Sequence, residues 1–189
     1  MNMDHYIDIH LLPDPEFPQP MLMSALFSKL HRGLVECGRG GIGVSFPEFN
    51  PAARVLGRTL RLHGGPDELE LLMAAQWIQG MRDHTRVRST TKVPNDVRYR
   101  TVRRVQAKSG AERLRRRLMN RKGIDHAAAM SAIPDSAEER LMLPYVTLTS
   151  ASTRQNFRLF IEHAPLQGAA REGTFTHYGL SPTATIPWF

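Results

Sequence analysis

The 189 residues, 41% hydrophobic and 23% charged, have the balance of a folded chain of one or two compact lobes, with no repeat or low-complexity tract. One cysteine, Cys37, excludes an internal disulfide and a cysteine-based zinc site, no apolar run is long enough to span a bilayer, and Asp4 and Asp8 stand where a secretory leader would carry positive charge and then an apolar run. A cytoplasmic protein without a membrane partner is the expectation, and the net charge of +7 favours a polyanion as partner.

In chain order, Ile7, Ile9 and Leu11 alternate with Tyr6, Asp8 and His10, the period of a half-buried strand, and Pro13 ends it. From Pro20 to about Cys37, Met23, Leu26, Phe27, Leu30 and Leu34 recur at helical spacing on one face, and Gly38, Gly40 and Gly41 close the helix. Residues 42–46 and 59–63 read as short strands. Pro66-Asp67-Glu68 opens a second helix through Leu69, Leu72, Met73 and Trp77, which Gly80 ends. Residues 85–93 read as a fourth strand, with Val87 and Val93 as apolar markers and Pro94 as its stop. The order βαββαβ predicts an α+β fold with a ferredoxin-like domain over residues 1–95, an arrangement shared by RNA-recognition domains but insufficient to assign a function. The aromatic signature of an RNA-recognition motif is absent, so base stacking on this sheet is not expected.

After Pro94 the character changes, and a second domain is predicted over residues 96–189, an α+β half built around an arginine-rich helix at about 110–121. Residues 98–122 hold eleven Lys or Arg against one acid, Glu112, a local charge of +10 that leaves the rest of the chain at −3. Eleven like charges repel one another, so a phosphate-backbone footprint is a better account than an idle solvated face. Residues 99–108 read as an extended arm with Arg104 and Gln106 on one side. Ser109 and Glu112 form a Ser-x-x-Glu capping box that starts the helix at Gly110. With Leu114 and Leu118 turned to the core, Arg113, Arg116, Arg117 and Asn120 take the far face. Residues 145–151 and 156–163 then read as two strands joined by a polar turn, with Phe157, Leu159 and Ile161 alternating with Arg158, Phe160 and Glu162. A last strand near 174–178 precedes a packed Pro187-Trp188-Phe189 segment.

The eight histidines include no His-x-His or His-Glu-x-x-His spacing, so neither a metal nor a cofactor is expected. RNA carries its own nucleophile in the 2′-hydroxyl, and its cleavage needs only alignment and proton transfer, for which a histidine suffices. His31 lies at the edge of the first helix's apolar stripe, about 100° around from Leu30. Spacing alone favours a satisfied boundary residue over a catalytic one. Ser150 and Ser152, two apart on one strand face, read by pattern alone as hydrogen-bonded turn or strand serines rather than catalytic ones, and periodicity does not choose among the histidines.

Motifs through nearly the whole chain resemble the CRISPR repeat-processing endoribonuclease of subtype I-F, a member of the Cas6 superfamily. They are Met-Asp-His-Tyr (3–6), Pro-Asp-Pro-Glu-Phe-Pro (13–18), Leu-Phe-Ser-Lys-Leu-His (26–31), Gly-Val-Ser-Phe-Pro (43–47), Arg-Val-Gln-Ala-Lys-Ser (104–109), Glu-Arg-Leu-Arg-Arg-Arg-Leu-Met (112–119), Phe-Arg-Leu-Phe-Ile (157–161), Tyr-Gly-Leu-Ser (178–181) and the final Pro-Trp-Phe. Residues 82–98 match poorly.

The resemblance implies that His31 is the catalytic histidine, that Ser150 holds the attacking ribose and that Tyr178 orients the histidine. By the same resemblance, Ser152 and Thr153 line the site near the scissile phosphate, Phe157 stacks under the terminal base pair, and Arg104 and Gln106 read base edges at the foot of a stem. Arg113, Arg116, Arg117 and Arg121 would enter the major groove of a short hairpin, a mode that an A-form groove permits near an open end. Asn120 stands where the resemblance leads one to expect a basic residue. The implied activity is metal-independent cleavage of a CRISPR repeat RNA stem-loop at the base of its stem, leaving a 2′,3′-cyclic phosphate and a 5′-hydroxyl. The family then keeps the mature crRNA and joins the other subunits of a type I-F surveillance complex. A non-catalytic crRNA hairpin-binding assembly subunit is the alternative and would need neither His31 nor Ser150. A DNA-binding regulator would account for the arginines alone.

Overall fold

The computed structural model describes residues 3–38, 40–106, 111–134, 141–150 and 152–189. Its first alternating segment forms strand β1 (His5–Leu11), whose Ile7, Ile9 and Leu11 are buried. Helix α1 (Gln19–Cys37) follows and buries the expected stripe, Met23, Leu26, Phe27, Leu30 and Leu34, together with Leu22 and Gly33. Gly33 is small for a reason: a β-carbon there would lie 2.9 Å from the Trp77 side chain. Gly38, at φ 66°, closes the helix by donating its N–H to the Leu34 carbonyl. Strands β2 (Gly43–Ser45) and β3 (Thr59–Gly64) come next. Helix α2 (Pro66–Ala74) then opens with Pro66 in its first turn and with the Glu68 carboxylate accepting from the Gly65 N–H.

These elements build a sheet in the order β2-β3-β1-β4, all pairs antiparallel, with Ile7 opposite Leu62 and Ile9 opposite Leu60. The strand expected over 85–93 is broken in two, β4 (Thr85–Val87) and β5 (Thr91–Lys92), both paired to β1. Only Thr85 is buried among these strand residues, so little packing holds a continuous edge together. Helix α2 also ends earlier than Gly80. The chain leaves it through Gln76, at φ 49°, and Gly80, at φ 78°, which lets Trp77 and Ile78 turn inward.

Within the stretch expected as an extended arm, residues form the paired strands β6 (Arg98–Arg100) and β7 (Val102–Val105), and residues 107 and 108 lie outside the described residues. β7 joins β9 (Asn156–His163) and β8 (Tyr145–Thr149) in a sheet of order β7-β9-β8, and β6 pairs with β10 (Ile186–Trp188). Residues 174–178 do not form the expected last strand. They enter a turn closed by the Thr176 N–H on the Leu180 carbonyl at 2.9 Å, with Gly179 at φ 67°, and the final strand is β10. Trp188 packs edge-on against Phe49. Phe189 is held by Arg61, whose guanidinium lies 4.1 Å from its ring centre and donates to its carbonyl at 3.1 Å, while the Asp8 carboxylate accepts from Nε and Nη2 of Arg61 at 2.6 and 2.9 Å.

Residues 1–104 and 143–189 form one compact unit and residues 105–142 a second, smaller one. The smaller unit holds helices α3 (Ala111–Lys122) and α4 (His126–Ala132), the latter capped by Asp125, whose side chain accepts from the Ala128 N–H at 2.8 Å. The capping-box residue Ser109 lies outside the described residues. The architecture is α+β throughout.

Candidate active site and nucleic-acid interface

The eight histidines separate once their surroundings are known. His63 is fully buried with Nε2 2.8 Å from the Ser45 hydroxyl, and burial, reinforced by the Arg61 charge, pushes its pKa down to about 3. His163 is stacked on Phe49 at 3.9 Å and flanked by Trp188. Burial first and the Arg100 charge second push it down to about 3 as well. Both stay neutral near pH 7 and serve packing. His5, His10 and His84 are engaged by Asp4, Thr59 and Asp14. His126 and His177 are exposed.

His31 is placed differently. Helix α1 carries it one turn beyond the buried Phe27, so both face the same side, and there the Tyr178 ring meets them. The imidazole stacks on Tyr178 at 4.1 Å with an interplanar angle of 15°. Phe27 backs the same ring at 6.3 Å and 2°. Nδ1 of His31 lies 2.8 Å from the His177 carbonyl oxygen. A carbonyl only accepts, so Nδ1 carries the hydrogen and the neutral ring keeps its lone pair on Nε2, the arrangement of a base aimed by its own backbone contact.

His31 and Tyr178 line a cavity of about 260 Å³ together with Arg103, Arg104, Leu180 and Ser181. The Arg104 guanidinium sits 6.0 Å from the Tyr178 ring centre and 5.9 Å from that of Phe157, so Arg104, Phe157, Tyr178 and His31 form one connected group. Arg103 is held by both carboxylate oxygens of Glu162, at 2.9 and 3.1 Å.

Ser150, Ser152 and Thr153 gather in the turn between β8 and β9. The two serine hydroxyls are 3.2 Å apart, the Thr153 N–H points at the Ser150 hydroxyl at 3.3 Å, and Arg154, at φ 53°, closes the turn on the Ser150 carbonyl. No hydrogen bond joins Ser150 to His31 among the described residues. The turn is nevertheless tied to the first group in the sheet: Thr149, just before Ser150, pairs with Asn156, next to Phe157. Helix α1 also contacts β8 directly, through the Thr147 N–H on the Ser24 hydroxyl at 3.1 Å.

Gln106 is exposed just past β7. On α3, Arg113, Arg116, Arg117, Asn120 and Arg121 are all exposed, while Leu114 and Leu118 are half-buried. Arg115, which the sequence pattern left among the other arginines, is instead 5% exposed, with Nε donating to the Ile133 carbonyl at 2.8 Å. Its signal was present, since it follows Ala111 by four residues and flanks Leu118 on the helical wheel. The role of the His177 carbonyl left no trace in the residue pattern, because any residue type supplies one. Among the described residues no group of three or more His, Cys, Asp or Glu is arranged to hold a metal ion.

A family model described as a CRISPR-associated protein (Cas_Csy4) matches residues 6–189. A protein of Pseudomonas aeruginosa (strain UCBPP-PA14) named CRISPR-associated endonuclease Cas6/Csy4 is 53% identical over 187 residues, which is 99% of this chain and 100% of that protein. A protein of the same name from Escherichia coli (strain UTI89 / UPEC) is 46% identical over 189 residues, again covering 99% of this chain and 100% of its own.

Proposed function

The chain belongs to the Cas_Csy4 family of CRISPR-associated proteins, and from that premise we propose that it is an endoribonuclease that binds a CRISPR repeat RNA hairpin and cuts at the base of its stem without a metal ion. The observation that carries this reading is the stacked and hydrogen-bonded His31, whose Nε2 lone pair is left available beside a cavity that also holds Arg104. In the proposed step, Nε2 takes the proton of the 2′-hydroxyl, the oxygen attacks the adjacent phosphorus and the bond to the 5′-oxygen breaks. The proton is returned to that oxygen, which leaves a 2′,3′-cyclic phosphate and a 5′-hydroxyl. Tyr178 holds the imidazole, Ser150 holds the ribose with Ser152 and Thr153 beside it, and Phe157 offers a ring to the terminal base pair. Arg104 and Gln106 read base edges, while Arg113, Arg116, Arg117 and Arg121 grip the stem. An RNA so held would stay bound after cleavage, which suits a subunit that carries the crRNA into a type I-F surveillance complex in the cytoplasm.

Incubating the purified protein with its own repeat hairpin in EDTA tests the reading. Cleavage should proceed at the rate seen without chelator, and the products should end in a cyclic phosphate and a 5′-hydroxyl. Substituting 2′-deoxyribose at the nucleotide 5′ of the cut should abolish cleavage and preserve binding. Cutting of that deoxy substrate would require an activated water as nucleophile and remove the roles given to His31 and Ser150.

A further inference from the structure

Resting on the reading of His31 as the proton-transfer group, we propose that Thr176 is a positioning residue whose hydroxyl sets the tautomer and tilt of the His31 ring. The hydrogen of His31 Nδ1 goes to a backbone carbonyl, that of His177, so the histidine is aimed only as well as that peptide is held. The carbonyl belongs to an exposed part of the chain: His177 is exposed and Tyr178 half-buried. The far side of the same turn is fixed in the core. Leu180 is 1% exposed, the Gly179 carbonyl accepts from the Val44 N–H at 2.9 Å, and a β-carbon on Gly179 would come within 2.5 Å of Val44 Cγ1.

Thr176 joins the two sides. Its hydroxyl donates to the Leu180 carbonyl at 3.0 Å and accepts from the Tyr178 N–H at 3.3 Å. Its backbone closes the turn as well, through its own N–H on the Leu180 carbonyl at 2.9 Å and its carbonyl under the Gly179 N–H at 2.8 Å. The peptide that His31 uses lies between Thr176 and Tyr178, so the hydroxyl reaches across it and ties it to the anchored residue. Threonine and serine hydroxyls commonly brace turns in this way. With the hydroxyl gone, the backbone bonds keep the turn closed. The Tyr178 N–H loses its acceptor, however, and both the His177 carbonyl and the Tyr178 ring gain freedom against the imidazole. A neutral imidazole whose Nδ1–H acceptor wanders divides between its two tautomers, and the one protonated on Nε2 has no lone pair where the 2′-hydroxyl would need it.

The test compares Thr176→Val with Thr176→Ser in the full chain. Three quantities are measured for each: single-turnover cleavage of the repeat hairpin, hairpin affinity, and the ¹⁵N-detected tautomer of His31 in RNA-free protein, its signal assigned by its loss in His31→Ala. The wild type should show the Nδ1–H form. Thr176→Val should mix the tautomers and lower the cleavage rate about 10- to 100-fold, by analogy with the loss when a group that orients a metal-bound histidine is removed, with affinity unchanged. Thr176→Ser should restore both. Thr176→Ala, which adds no bulk, takes the place of the valine variant if that variant does not fold. The proposal is overturned if the wild type shows the Nε2–H form, if removing the hydroxyl leaves tautomer and rate as they were, or if the rate falls only in step with RNA affinity. The tautomer is read without any substrate, so it stands or falls separately from the claim that His31 is catalytic, which His31→Ala cleavage decides.

Discussion

The pocket around His31 and the arginine face of α3 recruit opposite physics. At His31, one titratable ring is held between Tyr178 and the His177 carbonyl, and the machinery around it consists of rings, a turn and a buried stripe that fix where a lone pair points. On α3, four arginines of the proposed interface are exposed, and the helix that carries them is anchored through Arg115. Proton transfer in a transition state demands position to fractions of an ångström, whereas attraction to a phosphate backbone demands charge and tolerates movement. A single chain can divide these tasks, and substitutions should then affect rate and affinity separately.

The largest effect should come from His31→Ala. Rate should fall about 10²- to 10⁴-fold, the usual contribution of general acid–base catalysis, while hairpin affinity stays nearly unchanged, because a group that acts in the transition state does not hold the ground state. Single-turnover cleavage alongside equilibrium binding checks this. A parallel loss of affinity would move His31 from the chemistry to the grip and break the division.

Next in size is the response of the folded state to acid. His63 and His163 are held neutral, at about 3 against an unfolded value near 6.5. Below pH 6.5 the unfolded chain therefore takes up protons that the native protein refuses, and stability falls as the pH drops towards 3. The slope is up to about 1.4 kcal/mol per pH unit for each histidine. Asp14, held down by the N–H groups of Phe17 and Glu16, and Glu48, which burial raises but the Thr59 hydroxyl and the Arg58 N–H hold down overall, give stability that is lost only as the pH falls through the ordinary carboxylate range, so the window from 6.5 to about 5 belongs to the histidines. His163→Phe keeps a ring against Phe49 and should roughly halve the slope in denaturant titrations run across that window. An unchanged slope would mean that His163 is not the charge-averse group assigned here.

Arg104 brings the charge of the second kind of region into the first, since it lines the cavity beside His31. Arg104→Ala should cost about 1 to 3 kcal/mol of affinity on the native hairpin, by analogy with base-edge contacts, and much less on a hairpin whose closing base pairs are changed. Equal losses on both RNAs would make it a phosphate contact like those proposed for α3.

How far the residues alone could be read follows from the range of the forces involved. The stripe of α1 and the alternation of β1 were legible because burial acts on every third, fourth or second residue. The break between β4 and β5 was not, since on an exposed edge burial leaves no pattern to read. Residues 174–178 read as a strand because Phe175 and Tyr178 are large and apolar enough. The turn they enter is decided by Gly179 against Val44 and by the Thr176 hydroxyl, contacts that no local window contains. Spacing left His31 at the edge of its helix's apolar stripe, and its orientation depends on a carbonyl 146 residues away. The family motifs pointed to it before any geometry did.

The smallest effects, and the sharpest division, are expected within α3 itself. If Arg116 and Arg117 each neutralise a phosphate, binding should weaken steeply with salt, and replacing either by alanine should shallow the slope of log Kd against log salt by about one unit. Asn120 shares the exposed side, so Asn120→Lys should steepen the slope by a similar amount. Arg115 carries the same charge in the same helix but faces inward, with Glu112 3.8 Å from one Nη and the Ile133 carbonyl on Nε. Arg115→Ala should therefore leave the salt slope as it was and lower stability instead, by about 1 to 3 kcal/mol, since a half-buried carbonyl loses a charged donor. Titrations of hairpin binding at several salt concentrations, run beside thermal melts of each variant, distinguish the two kinds of arginine. A slope that Arg115→Ala shallows as much as Arg116→Ala would show that every arginine of α3 acts as diffuse charge, and that the exposed side has no special claim to the RNA.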